Sequence, residues 1–132
     1  MKILHGTAAC LIETGQMDLL MDLLRGNMKE LYQATGGWDE QAKQAEMFSD
    51  QARFLVAVSP AAKAGHILSN QLLGFCHYRF TEEDEDDVVY CYELQLAPKA
   101  QGLHIGSELL QVGLHTSISL KQSSSSSGWL EN

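Results

Sequence analysis

Cysteine is scarce, with 3 in 132 residues (Cys10, Cys76 and Cys91). The odd number and the absence of any C-x-x-C spacing argue against a disulfide framework and against a cysteine zinc site. Free, buried thiols are expected for Cys76 and Cys91, which lie in apolar runs, and a reducing compartment with them. Long hydrophobic runs are also missing. The longest are broken by Asp18, Asp22 and Arg25, or by Ser59 and Pro60, far short of the ~20 apolar residues of a membrane span. Met1 to Gly6 is too short and too polar afterwards for a signal peptide, so a soluble protein without a membrane partner is expected. Positive charge is in short supply: 9 Lys and Arg against 17 Asp and Glu, a net −8. Such a chain lacks the basic face that grips phosphate backbones, so nucleic acid is not expected and a basic partner is favoured. Neither G-x-x-x-x-G-K-[ST] nor G-x-G-x-x-G occurs, which removes the Walker loop and the dinucleotide fingerprint. There is no internal repeat.

What remains is the composition of one globular domain, 45% hydrophobic and 20% charged. Residues 1 to 16 are ambiguous; Ala8 to Ile12 read as a short strand before a Glu13-Thr14-Gly15 turn. From Met17 the apolar residues Leu20, Met21, Leu24, Met28, Leu31 and Tyr32 follow helical spacing, and Gly36-Gly37 ends the run. Asp39 is the expected N-cap of a second helix through Met47. Phe54 to Val58 and Leu72 to Phe80 read as strands. Val88 to Leu96 is a third, with alternation placing Tyr90, Tyr92, Leu94 and Leu96 on one face and Val89, Cys91, Glu93 and Gln95 on the other. Pro98 stops it, and a glycine-containing loop leads into a helix striped by Ile105, Leu109, Leu110, Val112 and Leu114. Past Thr116 a serine tract at Ser123 to Ser127 cannot bury a core, and Trp129 has no evident partner. Helices and strands in separate runs predict an α+β fold, a mostly antiparallel sheet with packed helices.

Charge concentrates in one place. Glu82 to Asp87 are consecutive acids and account for six of the eight net negative charges. They read as the loop of a hairpin, either simply solvated or a negative rim for a cationic ligand. Tyr90 and Tyr92 alone read equally as core aromatics, and His77 and His104 as structural or solvated. Glu93 on a strand asks for more explanation, since an unpaired buried acid is costly. The strand, glycine loop and helix from Tyr90 to Gln111 would present free amides to an anion.

That segment resembles the pyrophosphate-binding motif of the GNAT superfamily of acetyl-CoA-dependent N-acetyltransferases, here Gln101-Gly102-Leu103-His104-Ile105-Gly106, with His104 where the motif has its first glycine. A closer resemblance, over about Met28 to Gln111, is to the N-alpha-acetyltransferase D family (NatD), which acetylates the N-terminal serine of histone tails. It rests on Asn27, Met28 and Tyr32; Gly37-Trp38-Asp39; Met47 and Asp50; Ala52-Arg53; Phe75 with His77-Tyr78-Arg79-Phe80; and the string Tyr90-Cys91-Tyr92-Glu93-Leu94-Gln95-Leu96.

The resemblance implies a GNAT fold over residues 17–116, an uncertain segment over 1–16 and a flexible tail over 117–132. It implies Glu93 and Tyr92 as catalytic residues. It implies substrate contacts from Tyr32 (in the loop between the first two helices), Trp38, Thr81, Glu83 and Tyr90. Acetyl-CoA would be held by Gln95, Leu96, Ala97, Gln101, Gly102, Leu103, His104, Ile105, Gly106 and Ser107, with no metal. The substrates would be basic histone tails beginning Ser-Gly-Arg-Gly, met in nucleus and cytoplasm. Of the family's two principal acidic hairpin positions this chain has Thr81 and Glu83, so one acid is lost and the Glu82–Asp87 run stands beside it. Glu93, directly or through water, would take the proton of the attacking amine, a strand N–H would polarise the acetyl carbonyl, and a tyrosine would protonate the thiolate. The resemblance ends near Gln111 to Leu114, before the strand that splays from the Tyr92 strand to admit the pantetheine arm. A shortened or divergent family member is therefore expected, either active or limited to weak binding of a basic peptide or acetyl-CoA. A GNAT acting on a small amine or a lysine side chain is a third reading.

Overall fold

The computed structural model describes residues 1–37, 39–113, 115 and 129–131. The first strand, β1 (Lys2–Thr7), has four consecutive buried residues, Ile3 to Gly6. A strand covered on both faces shows no polar alternation, which is why the sequence conceals it. Ala8 to Ile12 is not a strand but most of helix α1 (Ala8–Glu13). Thr7 turns the chain: its extended backbone ends β1 and its hydroxyl accepts the Cys10 amide at 3.2 Å, an N-cap.

Helix α2 (Met17–Thr35) buries Met17, Leu20, Met21 and Leu24, packs Met28 partly, and leaves Leu31 exposed. Gly36, at φ +75°, ends it in the left-handed conformation that glycine tolerates. Helix α3 (Glu40–Phe48) starts as expected, with Asp39 Oδ1 accepting the Ala42 amide at 3.0 Å. The Arg25 guanidinium grips the Glu40 carboxylate through Nε at 2.9 Å and Nη2 at 2.6 Å, fixing α3 to α2.

Strands β2 (Arg53–Val58), β3 (Leu72–Glu83) and β4 (Asp86–Leu96) follow, then a 3-10 turn at Pro98–Ala100 and helix α4 (Ile105–Glu108), continued by π-helical turns over Leu109–Gly113. Of the segment 117–132, residues 129–131 are described. Leu130–Glu131 forms β5, and the sheet order is β4-β3-β2-β1-β5, with every pairing antiparallel. Trp129 does have a partner: a Cβ on Gly6 of β1 would stand 3.1 Å from its ring. Gly6 thereby leaves room for the indole.

Apolar residues cover both faces of the sheet. Leu4, Phe54, Val56 and Phe75 pack with α1, α2 and Met47 of α3. Ile3, Leu55, Ala57, Cys76 and Tyr78 pack with Ala97, Ala100, Ile105 and Leu109. The result is the expected α+β fold, an antiparallel sheet with packed helices, with α4 on the face opposite the first three helices.

The acidic run is not a loop. β3 continues through Glu83 and β4 begins at Asp86, leaving only Asp84 and Glu85 as the turn. Both take positive φ, 50° and 69°, the shape of a two-residue hairpin turn normally built with glycine. Glu85→Gly is expected to raise the unfolding free energy by about 1 kcal/mol, measured by urea titration, since left-handed backbone costs non-glycine residues roughly that much.

Candidate active site

The site begins with one extra residue. β3 and β4 pair His77 with Glu93 and then Tyr78 with Cys91, so Tyr92 is a β-bulge. The bulge breaks the simple alternation expected for β4. Val89, Leu94 and Leu96 all join the α4-side core. Tyr92 and Glu93 instead meet groups on the side of α2 and α3. The Tyr92 ring stacks on His77 at 5.1 Å between centroids, and the Arg79 guanidinium lies 4.5 Å from its centre. Glu93 Oε1 is closed to solvent and lies 3.4 Å from Lys43 Nζ of α3.

Lys43 and Arg79 dock α3 on the bulge. Lys43 Nζ also lies 3.4 Å from Glu46 Oε1, and Arg79 Nη2 donates to the Glu46 carbonyl at 2.8 Å. Burial works against the Lys43 ammonium, but Glu93 and Glu46 outweigh it and hold its pKa above the ordinary value. A largely buried carboxylate thus has a cation beside it, which makes its charge tolerable there. At 3.4 Å the contact is an ion pair rather than a good hydrogen bond, so Glu93 keeps acceptor capacity for a proton.

His77 is fully buried between Phe54, at 5.0 Å, and Tyr92. Its Nε2 accepts from Arg79 Nε at 3.2 Å, which places the proton on Nδ1, where it meets no acceptor among the described residues. Burial first, then the Arg79 and Lys43 charges, push its pKa down to about 4.

Below the bulge, Asn27 of α2 ties the end of β4. Its Nδ2 donates to Gln95 Oε1 at 2.9 Å and to the Leu96 carbonyl at 2.8 Å, and Gln101 Nε2 donates to the same carbonyl at 3.3 Å. The glycine loop therefore folds back onto β4. Ala97 is buried, and its amide bonds the Leu73 carbonyl at 2.8 Å. Gln101, Gly102, Leu103, His104 and Ser107 are exposed, and Ile105 is buried. A Cβ on Gly106 would lie 3.6 Å from Leu96, so α4 sits directly on β4. His104 adopts φ 62° and ψ 16°, the left-handed conformation. It supplies the backbone form of a glycine with a residue type that visits this region more readily than most.

Above the bulge, Thr81, Glu82, Tyr90, Cys91 and Tyr92 line a solvent-open depression of about 450 Å³. Thr81 Oγ1 is buried there without a hydrogen-bond partner among the described residues. Thr81, Tyr90, Tyr92 and Glu93 are thus gathered around the bulge, with Gln95, Leu96 and the 101–107 loop beyond it. Tyr32 lies within α2, not in a loop between helices. Its side chain and that of Glu83, together with all of Trp38, lie outside the described residues. Cys91 is exposed rather than buried. Sequence reasoning gave no site role to Lys43, Arg79 or Asn27. Asn27 carried a signal, standing first in the matched Asn-Met-x-x-x-Tyr stretch; Lys43 carried none, being one charge on a polar helix.

No family model matches the chain. Solved structures do. It is similar to a protein assigned as an acetyl transferase from Pyrococcus furiosus, with 20% identity, TM-score 0.56, and 80% of this chain and 70% of that one covered. An aminoglycoside acetyltransferase from an uncultured soil metagenomic sample matches with 15% identity and TM-score 0.58, over 91% of this chain and 74% of that one. An integron cassette protein from the mobile metagenome of V. cholerae matches with 18% identity and TM-score 0.52, over 90% and 70%. At these identities the likeness is one of fold.

Proposed function

We propose that this chain is an N-alpha-acetyltransferase that moves acetyl from acetyl-CoA to the N-terminal serine amine of core histone tails beginning Ser-Gly-Arg-Gly. The GNAT-like fold supports the reaction class. The Tyr-Cys-Tyr-Glu string and its neighbours support the substrate, by the NatD resemblance. The observation that carries the reading is the bulge at Tyr92, which sets Tyr92 in the wall of the depression with Glu82 and places Glu93 next to it, beside Lys43.

The acids favour a cationic ligand for a physical reason. Register sets Glu82 opposite Asp87 and Glu83 opposite Asp86. Six acids gathered at one hairpin tip and its flanking rungs make the local potential negative, which an arginine-bearing tail relieves. The chemistry follows from the residues present. Acetyl-CoA, when bound along Gln95 to Ala97 and the 101–107 loop, supplies the thioester. Glu93 takes the amine proton directly or through water, and Tyr92 is the hydroxyl available to the leaving sulfur. The substrate would be met in nucleus and cytoplasm.

The test is a mass assay with acetyl-CoA and a Ser-Gly-Arg-Gly peptide. Acetyl gain at the free α-amine is expected, with none on an α-blocked peptide carrying lysine. Gain on the blocked lysine peptide instead would overturn the substrate. No gain with both substrates saturating would leave a chain that at most binds. Neutralising Glu82, Asp84, Glu85 and Asp87 to Gln or Asn is expected to weaken peptide binding and flatten its salt dependence, read by titration at two ionic strengths.

A further inference from the structure

We propose that Cys76 and Cys91 are a modification site: a dithiol that a hydroperoxide converts to a disulfide stapling β3 to β4 beside the Tyr92 bulge. Their sulfurs lie 3.5 Å apart, and both cysteines are free. The bulge creates this proximity. In an unbroken ladder running on from the His77–Glu93 pair, Cys91 would fall opposite Arg79, on the His77 face of the sheet and away from Cys76. The extra residue moves it opposite Tyr78 instead, on the Cys76 face. Cys91 Sγ also reaches across the bulge to the Glu93 carbonyl, at 3.7 Å.

The two thiols are unequal. Cys91 is exposed and lines the depression with Thr81, Tyr90 and Tyr92, while Cys76 is buried. Burial, and then the Cys91 neighbour, push the Cys76 thiol up, so it stays protonated. The peroxide therefore meets Cys91. Its sulfur attacks one peroxide oxygen, the O–O bond breaks, and water (or an alcohol) leaves with a Cys91 sulfenic acid formed. The Cys76 sulfur then attacks the Cys91 sulfur. The S–O bond breaks, and the Cys76 proton leaves with the hydroxide as water. Two electrons pass from the sulfur pair to the peroxide. The bond withdraws the Cys91 thiol hydrogen from the Glu93 carbonyl and alters one wall of the depression. The consequence for peptide binding rests on the function proposed above; the modification does not.

The experiment treats the reduced chain, dilute and folded, with hydrogen peroxide. Free thiols are then alkylated, and intact mass and peptide maps are read. Loss of two hydrogen atoms in the monomer is expected, with a Cys76–Cys91 cross-linked peptide that a thiol reductant reverses. Cys91→Ser is expected to abolish that loss. Cys76→Ala is expected to leave a Cys91 sulfenic acid that a cyclic dione traps. Should Cys76→Ala fail to fold, the wild type and Cys91→Ser decide. A Cys91 sulfinic acid beside a still-alkylatable Cys76 would overturn the proposal, as would a disulfide found only between two chains. Peptide binding by the reduced and oxidised forms is measured in parallel. If neither binds, the peptide site is lost while the masses still decide the dithiol.

Discussion

Glu93→Gln is expected to lower the acetylation rate of the Ser-Gly-Arg-Gly peptide by roughly 10²–10⁴-fold, the usual worth of a positioned general base. The loss should fall on kcat with little change in KM, because the amide keeps the shape of the carboxylate and removes only its ability to take a proton. The fold should survive. Lys43, deprived of Glu93, still has Glu46 Oε1 at 3.4 Å, and Arg79 still bonds the Glu46 carbonyl at 2.8 Å. Unchanged circular dichroism with a collapsed kcat separates chemistry from stability. A Glu93→Gln chain as fast as the wild type would remove Glu93 from the mechanism. Lys43→Met makes the companion test of position. It leaves Glu93 in place without its cation, so kcat should fall with KM and circular dichroism unchanged, and Lys43→Arg should restore the rate, which a purely structural defect would not allow.

The second large effect is on stability in acid. His77 has its pKa lowered from 6.5 to about 4, so the native state holds it neutral where the unfolded chain takes up a proton. The unfolded state thus binds more protons between those values. Stability is whole above about pH 6.5 and drains as pH falls toward 4. At 1.36 kcal/mol for each unit of pKa shift, His77 accounts for at most about 3 kcal/mol of acid sensitivity. His77→Phe keeps an aromatic ring between Phe54 and Tyr92 and has nothing to protonate. Urea unfolding from pH 7 to pH 4 should show a flatter decline for His77→Phe than for the wild type. Parallel declines would show that other groups govern the acid limb.

Elements with a strong period were legible from the chain alone. Met17 to Leu24 declared α2, Asp39 declared the start of α3, and Phe54 to Val58 declared β2, because each is a local pattern with a local cause. β1 was not, since burial on both faces erases alternation and Thr7 serves both as strand end and helix cap. The site divides in the same way. Tyr92 and Glu93 could be picked out as residue types in a familiar string, but their facing could not, because the bulge inserts one residue into a period of two. Lys43 and Arg79 depended on tertiary contact: nothing near Lys43 in sequence says that its ammonium meets a carboxylate on β4. The acids of 82–87 were visible as charge, yet two pairs of them sit opposite each other on strands rather than in a loop.

The clasp on the Leu96 carbonyl bears on any strand that lies alongside β4. Among the described residues β4 is the outer strand at its end of the sheet, and its backbone there is an open template for pairing. A carbonyl oxygen has two lone pairs, and at Leu96 both are engaged, by Asn27 and Gln101. An approaching strand, from this chain or from another, finds no acceptor at that rung. The ladder is unzipped at Leu96 in advance, and a neighbour that zips along the rest of β4 has to part from it there, leaving a wedge-shaped gap. The same two amides that tether the glycine loop thereby also blunt the open edge of β4 at its C-terminal end.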